Sequence, residues 1–297
     1  MMEVERVAST GDMVGESPRW DHRIGQLVWV DMERPIVHVF NPRTGAVADH
    51  PIPRPASSIA LRDAGGYLIT DGEGVRGLAA FPSTGICAGS QVVRVDEGGG
   101  PCAVNDSGCD AEGRLLVGYG SEVTPSVGRV DLITPGAGSD EPSIRTLRDR
   151  MFLPNGMGWS PDGQVLYLAD SYARVVYALP YDPSAPGRLA PQLGEVFHRA
   201  GPDDGLPDGV AVDTDGGVWV AFWGSGTVRR FSPDGVCLCS LRLPVTQPAG
   251  VAFGGPDLSD LYITTASCGQ GADNAEAGSL FRVASGATGL PLNVCRL

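Results

Sequence analysis

Lysine is absent from these 297 residues, and all 22 basic side chains are arginine. A Schiff base on a lysine amine is therefore excluded. The Arg-only usage reads as codon bias in a GC-rich genome, because surface Arg and Lys are broadly interchangeable away from bidentate or stacked sites. Histidine is sparse (His22, His38, His50, His198), and neither HExxH nor a paired Cys/His zinc pattern occurs. No G-x-S-x-G nucleophile elbow is present, which disfavours a serine hydrolase. No run approaches the ~20 apolar residues that span a bilayer. The opening MMEVERVASTGDMVGE lacks the basic and apolar regions of a secretory signal. A net charge of -13 without any basic run makes nucleic acid and anionic membranes unsuitable partners.

The seven cysteines (Cys87, Cys102, Cys109, Cys237, Cys239, Cys268, Cys295) are odd in number and scattered. With no signal visible, the expectation is a cytoplasmic chain with reduced thiols that pack as small hydrophobes. A nucleophile at Cys102 or Cys109 is disfavoured, because a reactive thiolate needs an electropositive neighbour that this stretch of sequence lacks.

What the chain does have is turns: 42 Gly and 24 Pro punctuate short β-branched and aromatic runs, and no helical period is sustained. One pattern recurs, a polar residue followed by apolar or small residues, a turn and a hydrophobic strand. It reads ESPRWDHRIGQLVWVD, SIALRDAGGYLITD, NDSGCDAEGRLLVG, NGMGWSPDGQVLYLAD, DGVAVDTDGGVWVAF and AGVAFGGPDLSDLYITT. The leading slot holds Glu16, Ser58, Asn105, Asn155, Asp208 and Ala249, at gaps of 42, 47, 50, 53 and 41 residues. That is the spacing of four-stranded propeller blades, about 40–50 residues each. The expected fold is all-β, a single six-bladed β-propeller over residues 1–297. VERVA near the N-terminus would complete the last blade beside LFRV at 280–283. A β-sandwich explains the turn frequency but not a repeat with a polar first slot.

In a propeller the innermost strands line the central channel, so equivalent slots form a ring. Glu16, Asn105, Asn155 and Asp208 offer two carboxylates and two amide carbonyls, a set that hard cations take with water completing the shell. Ca²⁺ is favoured, and Mg²⁺, Mn²⁺, Zn²⁺ or Fe²⁺ are compatible. Seen singly, Asn155-Gly156 and Asp208-Gly209 are ordinary turn dipeptides. The phase agreement with Glu16 and Asn105 is what argues for a site.

At these residues the chain resembles the senescence-marker-protein/gluconolactonase/luciferin-regenerating-enzyme family. The resemblance is carried by GESPRW at 15–20, ND at 105–106, LPNGMGWSPDGQVLYLADS at 153–171, LPDGVAVDTDGGVWVAFW at 206–223 and FGGPDLSDLYITTAS at 253–267. It implies a six-bladed propeller with one divalent cation and, for many members, lactone hydrolysis. It also implies that Glu16, Asn155 and Asp208 hold the metal, and that Asn105 and Asp106 face the substrate or its water. Calcium-dependent phosphotriesterases share a similar ligand set, so the ligands alone leave the reaction class open.

The chain departs from the pattern at Ala103, where sugar-lactone hydrolases of the family commonly carry Arg. It departs again at Gly118-Tyr119-Gly120, which replaces Gly-Thr-Met. Losing a bidentate donor and gaining an aromatic points to Ala103 and Tyr119 as substrate-facing residues for a less polar small molecule. The expected reaction is hydrolysis of a lactone or related ester with the cation as Lewis acid, Asp208 as general base and Asp106 as the second candidate base. The alternatives are a tailoring enzyme using the same centre for cyclisation, rearrangement or elimination, and a metal-stabilised propeller that binds without turnover. Residues 121–127 and 268–278 are the expected lid loops.

Overall fold

The computed structural model describes residues 2–79, 81, 85–94, 102–137, 141–187, 189, 196–270 and 274–297. Those residues hold 24 strands and no helix, arranged as six sheets of four antiparallel strands. Each sheet is one blade of a β-propeller. The innermost strands of blades 1 to 6 are Gly15–Asp21, Ser58–Leu61, Ala103–Cys109, Pro154–Trp159, Leu206–Val212 and Pro248–Gly254. Blade 6 takes its outermost strand, Val4–Ser9, from the other end of the chain, with Val4 opposite Val283 and Ser9 opposite Ser279. The N-terminal strand thus closes the ring and leaves blade 6 no open edge beside Ser279–Ala284.

The strands follow from the sequence pattern. Runs such as Leu27-Val28-Trp29-Val30 and Val218-Trp219-Val220-Ala221-Phe222 are buried along their whole length, as expected of strands covered on both faces. Six hydrophobic clusters form the core, one at each blade interface. Trp219, for example, packs on Phe253 of blade 6, and Trp20 stacks on Tyr262 across the closing interface. Aromatic pairs of this kind add about 0.5–1.5 kcal/mol beyond area burial. The core therefore lies between blades, and the axis is left to the ends of the innermost strands.

One irregularity repeats. In five of the six blades the innermost ladder slips register near its start: between Glu16 and Arg19, Val104 and Ser107, Pro154 and Met157, Pro207 and Val210, and Pro248 and Val251. A β-bulge re-aims the residues it displaces and commonly borders active sites.

Candidate metal centre

The bulges carry the recurring slot. Asn105, Asn155, Asp208 and Ala249 are each the first residue displaced from the ladder, whereas Glu16 still pairs with Val30, directly before the slip. Glu16 thus joins the ring one ladder position earlier than the repeat implied. The residue after it, Ser17, adopts φ +54°, rare for a side chain with a Cβ. That turn brings the Ser17 N–H to donate to Glu16 Oε2 at 3.1 Å. Ile59 N–H of blade 2 donates to Ser17 Oγ at 3.0 Å and holds the conformation.

The glycines after Asn155 and Asp208 have a reason other than turn formation. A Cβ on Gly156 would stand 2.4 Å from the Asp208 carbonyl oxygen, and one on Gly209 would stand 2.6 Å from the Ala249 carbonyl oxygen. Neighbouring innermost strands converge so closely that only glycine fits. Asn-Gly and Asp-Gly here are strand residues at a bulge, not hairpin turns.

Glu16, Asp106, Asn155 and Asp208 are all buried, and Asn105 is half-buried. The three carboxylates feel one another. Glu16 is pushed up to about 8, first by burial and then by the charge of Asp106. Asp208 is held well above the usual carboxylate range by burial and by the charges of Glu16 and Asp106. Burial also raises Asp106, against the opposing pull of Arg19 and the Ser107 N–H. Arg19 lies 3.6 Å from Asp106 Oδ1, and its other contacts go to the backbone carbonyls of Pro18 and Ser107. Arg19 thus draws down Glu16 and Asp106, while Asp208 Oδ1 is buried with no hydrogen-bond partner.

The amides are oriented in a complementary way. Asn105 donates its NH₂ to the Pro154 carbonyl at 3.0 Å, and Asn155 donates to Ser171 Oγ at 3.2 Å. Ser171 in turn donates to the Pro207 carbonyl at 2.8 Å. Each side chain keeps its carbonyl oxygen as the acceptor. Among the described residues no three His, Cys, Asp or Glu side chains group as a metal cage. The oxygens that could serve a cation are the carboxylates of Glu16 and Asp208 and the amide oxygens of Asn105 and Asn155. Uncompensated buried carboxylates beside amide oxygens suit a hard divalent cation, because burying unpaired charge in protein is otherwise costly.

The remaining expected residues separate. Ala103 is exposed at the start of its strand, on the same end of the blade as Asn105. Tyr119 is not brought to the centre: it is wholly buried in the cluster between blades 2 and 3, beneath the Arg129 guanidinium at 4.2 Å. Strand alternation is the reason. Gly118 and Gly120 face Pro154 and Leu153 of blade 4, which turns Tyr119 to the opposite face. Ser58 bonds to Thr70 and Ser107, and Ala249 is fully buried, so neither adds a donor. Cys102 is buried, and the Cys109 thiol is driven up by its contact with Cys295 and by burial, which fits neither for nucleophilic work. Of the expected lid loops, 121–127 is described, while 271–273 of the second lie outside the described residues.

Sequence reasoning missed Arg19 and Ser171. The signals were present in GESPRW and LADSY, but only the fold shows Arg19 against Asp106 and Ser171 bridging Asn155 to the strand of Asp208.

Comparison with known proteins follows the same outline. The model of the SMP-30/Gluconolactonase/LRE-like region matches residues 14–267. Pentonolactonase XacC of Haloferax volcanii is 34% identical over 98% of this chain and 97% of its own. Regucalcin of Xenopus laevis is 31% identical over 95% of this chain and 94% of its own. Among solved structures, a calcium-binding protein, regucalcin, from Agrobacterium tumefaciens superimposes with a TM-score of 0.86. It is 24% identical and covers 100% of this chain and 98% of its own.

Proposed function

The chain belongs to the SMP-30/gluconolactonase/LRE-like family, and from that premise we propose that it is a divalent-metal-dependent hydrolase of a lactone or related ester, less polar than a sugar-acid lactone. The observation that carries the reading is the buried, undercompensated set of Glu16 and Asp208 beside the amides of Asn105 and Asn155. Relatives named as a pentonolactonase and as a calcium-binding protein support the reaction class and favour Ca²⁺.

Glu16, Asn155 and Asp208 are the residues that would hold the cation. When bound, it supplies Lewis-acid polarisation of the scissile carbonyl and counter-charge for the oxyanion. Asn105, fixed through its NH₂ to Pro154, orients the substrate at the rim. Asp208, whose Oδ1 is buried without a hydrogen-bond partner, would accept the proton of the attacking water. The water oxygen bonds to the carbonyl carbon, the ring C–O bond breaks, and the departing oxygen recovers the proton to give a hydroxy acid. Such a base contributes about 10²–10⁴-fold. Asp106 is the second candidate, restrained by Arg19 and Ser107. Ala103 supplies no donor for hydroxyls or a carboxylate at the mouth, which favours the less polar substrate.

Elemental analysis of the purified protein, followed by a lactone panel graded from aldonolactones to alkyl-substituted δ-lactones, tests the proposal. The expected result is one divalent cation per chain, no turnover after chelation, and recovery on adding the metal back. Full turnover by metal-stripped protein would overturn it.

A further inference from the structure

Two aromatic side chains beside the centre are not used by this mechanism. Phe152 and Tyr172 are half-buried, with ring centroids 5.3 Å apart and planes inclined at 34°. Both are rigidly mounted. The N–H groups of Phe152 and Leu153 donate to the two oxygens of Asp170 at 3.0 and 2.9 Å, which fixes the entry to the strand carrying Asn155. Tyr172 directly follows Ser171, the residue that joins Asn155 to Pro207. The aromatic pair therefore stands at the end of blade 4 that presents Asn155, against the segment after the second strand of blade 3.

The 121–127 loop is fastened to the same pair. Ser121 N–H donates to the Phe152 carbonyl at 3.1 Å, and the Tyr172 hydroxyl donates to Glu122 Oε2 at 3.2 Å. Ser121 Oγ accepts from Val123 and Thr124 N–H, which shapes the loop and leaves Val123 82% exposed. Ala103 and Met13 are also exposed at the starts of blades 3 and 1. Three arginines at this end of the blades are engaged: Arg34 with Asp12 and Asp31, Arg54 with Glu73, Arg174 with the carbonyls of Pro202 and Gly205.

We propose that Phe152 and Tyr172 are specificity-determining residues that form an aromatic wall for the apolar substituent of the lactone. The proposal rests on the hydrolytic reading above and adds the surface that selects the substrate. A ring face offers dispersion and area burial to an alkyl or aryl chain. It provides no paired donors for a polyhydroxylated one.

The test uses full-length, metal-loaded protein and three lactones: δ-decanolactone, unsubstituted δ-valerolactone and D-glucono-δ-lactone. Wild type should favour δ-decanolactone. Tyr172→Ala and Phe152→Ala should each raise KM for δ-decanolactone by about tenfold, with kcat and the other two substrates within about twofold. Tyr172→Phe, which keeps the ring, should retain most of the preference. Equal losses on all three lactones, or none, would overturn the wall. Calorimetric titration with the non-hydrolysable δ-decanolactam separates the two claims. If no lactone is turned over but wild type binds the lactam and the alanine variants do not, the wall stands and the hydrolytic reading falls. If the lactam does not bind wild type, or binds the variants equally, the wall falls.

Discussion

The innermost strands of blades 1, 3 and 5 carry a buried acid at or near both ends, and the two ends are treated in opposite ways. At their far ends Asp21, Asp110 and Asp213 are fully partnered. Asp21 accepts from Arg23 Nε at 2.8 Å and from Tyr67 of blade 2 at 2.7 Å. Asp110 accepts from Arg114 Nε at 2.7 Å and from Tyr181 of blade 4 at 2.6 Å. Asp213 accepts from Trp219 Nε1 at 2.9 Å and Arg230 Nε at 2.7 Å. At the near ends Arg19 acts on Asp106 and Glu16, and Asp208 Oδ1 has no partner. Ionisation follows the partners. For Asp21 and Asp213 burial opposes the charge, but the hydrogen bonds outweigh it and both are lowered. Glu16 and Asp208 are raised. Charge compensation supplied by the chain makes a latch; compensation withheld leaves the carboxylates that the proposed cation would satisfy.

The sharpest way to break this contrast is substitution at the near end. Glu16→Gln or Asp208→Asn should abolish cation retention and lower lactone turnover by at least about 10²-fold. In chelator the same variants should unfold at equal or higher urea concentration than wild type, because an uncompensated buried charge has been removed. A metal-free destabilisation would show that these acids are structural after all. Asp213→Ala should do the reverse. It strips Trp219 Nε1 and the Gly217 N–H of their acceptor, costing about 2–3 kcal/mol in urea unfolding, with cation content unchanged.

The smallest effect is the pH dependence of the far-end latches. Asp21 and Asp213 sit below their ordinary value of 3.8 in the folded chain. The stability they contribute is present above pH 3.8 and is lost as pH falls through their depressed values. Wild type and Asp213→Asn should therefore converge in urea midpoint below pH 3.8. A constant gap down to acid would show that the latch is not electrostatic.

Much of this was legible in the sequence. The repeat gave the blade count and the closing strand, because a four-stranded blade imposes its own length on the chain. The common phase of Glu16, Asn105, Asn155 and Asp208 was legible because a shared slot is a shared place in a ring; their role as cation ligands belongs to the proposal. Tyr119 was misplaced because the sequence pattern shows that an aromatic is present, while strand alternation decides which face it takes. The Asn-Gly and Asp-Gly pairs were ambiguous for a related reason. A hairpin turn and a bulge crowded by a neighbouring strand both demand glycine, and only the neighbour distinguishes them.

The sequence by itself determined the ring, the recurring slot of oxygen-bearing side chains and the absence of lysine that leaves arginine as the compensating side chain besides histidine. Tertiary structure decided which acids those arginines reach. Asp21, Asp110 and Asp213 close on an Arg in their own blade, two of them capped by a tyrosine from a neighbour. The near-end acids come from three blades, and among the described residues the arginine beside them is Arg19, at Asp106. Proximity across blades, and the electrostatic cost that comes with it, exists only once the ring has closed.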